Sequence, residues 1–143
     1  MSIISFVVFF LFIALAAFLV FKYGKEGKEK EAPTVIEDSL KIKTLNEHNF
    51  DHQIKRGVIL VELWAPWCMS CKMTAPVLNE LAELVTGNAS IGKLNVDQQQ
   101  TVSLRYGVKK IPTMLLFKNG EEVKRFSGFQ SKELLLKEIM KVQ

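Results

Sequence analysis

Hydrophobic positions in this chain follow two regimes. Residues 3–21 are apolar at every position except Ser5. A helix with that pattern is apolar on all faces, which a small soluble core does not accommodate. At roughly 1.5 Å per residue it would rise about 28 Å, close to the hydrocarbon thickness of a bilayer. A secretory signal would carry basic residues before the apolar run and a small-x-small cleavage site after it. No Lys or Arg precedes Ile3, and the run closes Phe18-Leu19-Val20-Phe21-Lys22. The expectation is a retained transmembrane anchor at 1–21, with a cleaved signal as the alternative. Residues 22–38 lose apolar periodicity and carry Gly24, Gly27, Pro33 and mixed charge, so they read as a linker.

From residue 39 the periods become those of folded elements. Leu40 and Ile42 alternate with polar neighbours and predict a short strand. Asn46 is placed to cap a helix over 47–55 that turns Phe50 and Ile54 inward. Gly57 ends it. Residues 58–64 are apolar on both parities, as in a central strand covered on both faces. A helix follows to about residue 85, with Pro76 expected to kink it. Gly87-Asn88 turns into a strand at 90–96, and a short helix at 101–106 closes at Gly107. Strands at 113–117 and 121–126 flank Asn119-Gly120, a hairpin turn signal. Ser131 opens a last helix with Leu134, Leu135, Glu138 and Ile139 at helical spacing. Alternating strands and helices, then a hairpin and a helix, predict one mixed-sheet α/β domain over 39–143.

Charge adds little to fold and something to location. The net charge is +4, with lysines and acids interleaved through the soluble part. A nucleic-acid protein would show a basic face with exposed aromatics, so no nucleic-acid partner is expected. Lys22, Lys25, Lys28 and Lys30 follow the apolar run directly. The positive-inside rule then puts the domain in the cytoplasm, the extracytoplasmic side being the alternative.

The chemistry concentrates in Cys68-Met69-Ser70-Cys71, which holds both cysteines of the chain. A C-x-x-C between a strand and a helix reads as a dithiol redox site. Cys68 stands at the helix start, where unpaired N–H groups and the positive end of the dipole favour a thiolate. It is expected to be the more exposed sulfur and the nucleophile. Cys71, one turn on, is expected to resolve the mixed disulfide. A zinc site completed by His48 and His52 is the competing reading, but their order and separation fit no zinc finger, so no metal is expected. Glu62 interrupts the apolar strand. Buried there, it would resist ionisation and could accept the Cys71 proton; on an edge strand it would simply face solvent. Lys93, on the next strand, could be its charge partner. Pro112 opens a strand and is either an ordinary boundary or a cis bend beside the site.

Several motifs in order make residues from about 40 to 142 resemble thioredoxin. They are Trp64-Ala65-Pro66-Trp67-Cys68-x-x-Cys71-Lys72, Pro76, Lys93-Leu94-Asn95-Val96-Asp97, Tyr106-Gly107-Val108, Ile111-Pro112-Thr113, Phe117-Lys118-Asn119-Gly120 and Gly128. The resemblance implies a five-stranded sheet flanked by helices, with a cis Pro112 opposite the cysteines. It implies attack on a substrate disulfide by Cys68 and release by Cys71, with Glu62 and Lys93 behind them. It implies a docking surface of Trp67, Ile111, Pro112 and Gly128, to which Met69 adds a flexible contact beside Cys68. The implied partners are protein disulfides and an electron-donating reductase; the implied cofactor is none beyond the dithiol itself. The family's usual middle pair is Gly-Pro, and Met69-Ser70 replaces it here. Lys109 and Lys110 make the rim near Pro112 more basic than usual, which suits acidic partners. The expected activity is protein-disulfide reduction by a membrane-tethered thiol:disulfide oxidoreductase. A thiol oxidant or isomerase, a cytochrome-maturation-type reductase for exported proteins, and a non-catalytic interaction module are the alternatives.

Overall fold

The computed structural model describes residues 3–23 and 36–143, in two units, Met1–Val35 and Ile36–Gln143. Most of the linker expected at 22–38, with Lys25, Lys28 and Lys30, lies outside the described residues. In the first unit, helix α1 runs Ile3–Tyr23. Its stretch Ser5–Lys22 has a mean hydropathy of 2.6 and is long enough to cross a membrane. A span and a signal sequence both meet that description.

The second unit is built on strand β2, Val58–Trp64, buried at every position through Leu63. It pairs in parallel with β3, Ala89–Asn95, and antiparallel with β4, Thr113–Lys118. Strand β1, Ile42–Leu45, lies parallel to the far side of β3, and β5, Glu121–Ser127, antiparallel to β4. The order is therefore β1-β3-β2-β4-β5. Side chains alternate between the faces of a strand. Val58 and Leu60 pack with Leu78 and Leu81 of helix α3, Met69–Leu84, and with Leu135 and Ile139 of helix α5, Lys132–Val142. Ile59, Val61 and Leu63 pack on the other face with Phe50 and Ile54 of helix α2, Phe50–Ile54, and Val102 of helix α4, Gln100–Arg105. Both faces are covered, which is why β2 is apolar on both parities. The expected mixed five-stranded sheet flanked by helices is the fold.

Local expectations differ in a few places. Leu40 stands in a turn, fully exposed, and the strand begins at Ile42. Helix α2 is shorter than 47–55, and a turn over 47–49 precedes it; Asn46 Oδ1 accepts from His48 N at 2.9 Å and Asn49 N at 3.0 Å, as expected of a cap. The Asn46 backbone carbonyl accepts from Phe50 N at 2.9 Å, so Asn46 caps the turn that leads into the helix. Leu134 points to solvent, while Leu135, Glu138 and Ile139 are buried. The Asn119-Gly120 turn has positive φ at both residues, 50° and 91°, the form that matches hairpin twist.

The start of β2 is fixed by Gly57. Its N–H donates to Asn119 Oδ1 at 3.0 Å, its carbonyl accepts from Asn119 N at 2.9 Å, and Val58 N donates to Asn88 O at 3.0 Å. Its φ is +72°, and an added Cβ would stand 2.3 Å from Asn88 O. Gly107 also has positive φ, 61°, yet a Cβ there meets nothing within 4 Å. The left-handed backbone alone costs a non-glycine residue about 1–2 kcal/mol. Gly107→Ala should lose about that much in urea titration, and Gly57→Ala should lose clearly more. Equal losses would show that the contact with Asn88 is relieved at no cost.

Candidate active site

Strand β2 ends at Trp64, whose carbonyl accepts from Val96 N at 2.9 Å, and the chain turns at once into α3. Cys68 is the N-cap of α3, with extended backbone, and its sulfur accepts from Cys71 N at 3.2 Å. A sulfur thus occupies the position of a capping side-chain oxygen. Sixteen residues of helix stand behind it, so a reduced Cys68 gains both a backbone donor and the positive end of the dipole. Cys68 and Cys71 are joined by a disulfide with a Cα separation of 5.3 Å. The expected contrast in exposure is slight: Cys68 is 5% exposed and Cys71 3%.

The surface around the disulfide is apolar. Trp67 and Met69 are each 69% exposed, and Met73 and Phe129 are also open. Trp67 is anchored, its Nε1 donating to Asp97 Oδ2 at 3.0 Å, and Asp97 N in turn donating to Asn95 Oδ1. Leu63 of β2 is in register with Thr113 of β4, which brings Pro112 to the sheet end from which the cysteines emerge. The Ile111–Pro112 bond is cis. Gly128 N donates to Pro112 O at 2.8 Å, and Thr113 Oγ1 donates to Lys110 O at 2.7 Å. Trp67 and Ile111 line one groove with Val96, Ser103, Val108, Lys109 and Lys110.

Glu62 is fully buried in β2, so it has no solvent-facing edge position. By alternation it lies on the α3 side of the sheet, with Val58 and Leu60. Neither carboxyl oxygen has a hydrogen-bond partner among the described residues. Lys93, its register partner on β3, approaches Oε2 at 3.8 Å, too far for a hydrogen bond. The ammonium sits instead 2.7 Å from Asp38 Oδ1 and 4.6 Å from the Trp64 ring centroid. Burial pushes the Glu62 carboxyl up to about 7, against the pull of Lys93 and with a smaller push from Asp38.

The structure therefore brings Cys68, Cys71, Trp67 and Met69 to one turn, and Ile111, Pro112 and Gly128 to two hydrogen-bonded loops at the same end of the sheet. Glu62 and Lys93 are brought together inside the sheet. Sequence reasoning missed Asp97 and Asp38. Asp97 stands in the quoted Lys93–Asp97 motif, and only an adjacent indole donor would have marked it. Asp38 is 55 positions from Lys93, and no local pattern links them. Among the described residues no group of three or more His, Cys, Asp and Glu could hold a metal.

The Thioredoxin family model matches residues 41–141. Thioredoxin from Staphylococcus saprophyticus is 46% identical over 102 residues, covering 71% of this chain and 98% of that protein. Thioredoxin from Staphylococcus haemolyticus is 47% identical over 96 residues, covering 67% and 92%. The solved structure of a mutant thioredoxin from Halobacterium salinarum superposes with a TM-score of 0.67 at 30% identity, covering 74% of this chain and 94% of that one.

The raised Glu62 carboxyl has a consequence for stability. Unfolded, it ionises near 4.5; folded, near 7. Between those values the native state holds a proton that the unfolded state has lost, so stability falls as pH rises. The loss across that window is about 3 kcal/mol at one unit per 1.36 kcal/mol. Urea midpoints of the oxidised protein should decline from about pH 5 to pH 8, and Glu62→Leu should remove most of that slope. A wild-type curve flat over this range would refute the assignment.

Proposed function

The chain belongs to the thioredoxin family and is a thiol:disulfide oxidoreductase, and from that premise we propose a protein-disulfide reductase tethered to a membrane. The observation that carries the reading is the cap geometry: the Cys68 sulfur accepts the Cys71 N–H at the start of α3, beside exposed Trp67 and Met69. The reduced Cys68 thiolate attacks one sulfur of a substrate disulfide. The substrate's other sulfur leaves as a thiolate, forming a mixed disulfide on Cys68. Glu62 accepts the Cys71 proton, and Cys71 attacks the Cys68 sulfur. The second substrate thiolate departs, and the internal disulfide forms. Two electrons have passed from the dithiol to the substrate, and a partner reductase restores the dithiol. Lys93 biases the charge of Glu62. Trp67, Met69, Ile111, Pro112 and Gly128 receive the substrate chain, and Lys109 and Lys110 favour an acidic one.

The tether reading rests on the apolar length of α1. Residues 1–21 form the anchor, 22–38 the linker and 39–143 the catalytic domain. The lysines that follow the apolar run support a cytoplasmic domain, the extracytoplasmic side being the alternative. Met69-Ser70 favours a second reading, an oxidant or isomerase that runs the same exchange in reverse.

Three measurements test this. Cys68→Ser should abolish reduction of insulin disulfides, while Cys71→Ser should accumulate mixed disulfides on Cys68; full activity in Cys68→Ser would reverse the roles. Equilibration with glutathione should yield a potential below that of the buffer, and one well above it would favour the oxidant. A reporter fused after Gln143 should be active on the cytoplasmic side, and activity only outside would invert the topology.

A further inference from the structure

We propose that Asp38 is a positioning residue of the exchange site, holding the Lys93 ammonium away from Glu62. The Lys93 ammonium stands 2.7 Å from Asp38 Oδ1 and 3.8 Å from Glu62 Oε2. Lys93 therefore hydrogen-bonds the half-exposed acid and leaves the buried one short of a donor. Asp38 is held there by a strap. Asn79 of α3 donates from Nδ2 to Glu37 O at 2.9 Å and accepts Ser39 N at Oδ1 at 2.8 Å. Ser39 Oγ donates to Glu83 Oε1 at 2.8 Å, and Lys41 pairs with Glu83 at 2.6 Å. Residues 37–41 are thus bonded to the catalytic helix on both sides of Asp38. The Thioredoxin match begins at residue 41, so this acid comes from the segment that leads into the domain.

The other charges on that face are engaged elsewhere. Glu80 of α3 pairs with Lys132, and Glu138 of α5 pairs with Lys124 and Lys141. Lys72, Glu133 and Lys137 are exposed. From β4, Glu62 meets its register partner Met114. Lys93 and Asp38 are the charges that act on it. Closing the 3.8 Å gap to a hydrogen bond would favour the ionised carboxylate and weaken it as a base for Cys71. Asp38 prevents that closure.

This inference rests on Glu62 serving Cys71, so the test separates the two. The full chain, in detergent micelles and labelled with carboxyl-13C glutamate, reports the Glu62 titration directly; loss of its resonance in Glu62→Gln assigns it. Asp38→Asn should lower the Glu62 midpoint by about one pH unit, as an opposite charge drawn into contact does. Asp38→Ser should do the same, which guards against a defect peculiar to one variant. On a Lys93→Met background, Asp38→Asn should lower the midpoint clearly less than it does with Lys93 present, because only the small direct push of the Asp38 charge is then lost. An unchanged or raised midpoint overturns the proposal. So does an equal fall with and without Lys93, since Asp38 would then act as a charge and position nothing. The pH profile of mixed-disulfide release is read in parallel. If the Glu62 midpoint moves and the release profile does not, Asp38 positions Lys93 as proposed and the proton-acceptor role of Glu62 is wrong.

Discussion

Strand β2 is bonded on both edges and covered on both faces, and the rest of the domain follows from that confinement. A strand so placed accepts apolar side chains at either parity, and Val58 to Leu63 supply them at all but one position. Its exit is equally constrained. Trp64 is held by Val96, so the chain must leave the sheet at one point and begin α3 there. The first donors of that helix therefore appear at a fixed place, and Cys68 is the residue that meets them. Reactivity at Cys68 comes from where the strand ends. The same register sets Thr113 beside Leu63 and so carries the Pro112 loop to the cysteine end.

The exception in β2 is a carboxyl group, and its charge balance is close. At an effective dielectric of about 20, an ammonium 3.8 Å away attracts a carboxylate by about 4 kcal/mol. Removing a carboxylate from water costs several kcal/mol even after relaxation. Desolvation wins by a modest margin, which is why the Glu62 carboxyl lies near 7. A group with so small a margin responds to sub-ångström movement of its neighbour. That sensitivity suits a proton acceptor, whose affinity should match the working pH, and it makes the position of Lys93 consequential.

What the sequence disclosed divides along physical lines. The central strand, the hairpin at Asn119-Gly120 and the capped last helix were legible, because each depends on neighbours a few residues away. The C-x-x-C was legible for the same reason. Leu40 was misread because an apolar residue in a two-residue alternation carries little weight without a pairing partner. Asn46 was legible as a cap, and only the first regular turn of α2 was placed too early, at an element boundary where a few residues are seldom decided locally. The Ile111–Pro112 bond stayed open because the two isomers of an X-Pro bond differ little in intrinsic energy. Burial of Glu62 followed from the apolar run around it. The Lys93–Asp38 pair did not, since nothing local ties residues 55 positions apart.

The two sulfurs are consequently governed by separate parts of the molecule. Cys68 takes its thiolate character from the first turn of α3, where Met69 and Ser70 are the neighbouring side chains. Substitutions there act on the stability of the thiolate and hence on the direction of exchange. Cys71 is buried to nearly the same degree, and in the proposed exchange its proton passes to the carboxyl inside β2. That carboxyl is set by Lys93 from β3 and by an acid that precedes the family match. If Glu62 serves Cys71 as proposed, the direction of electron flow and the rate of substrate release can change independently, the first at the helix cap and the second through residues 37–41. On the proposed role of Glu62, the segment that leads into the domain helps to set the proton acceptor and is more than a passive connection.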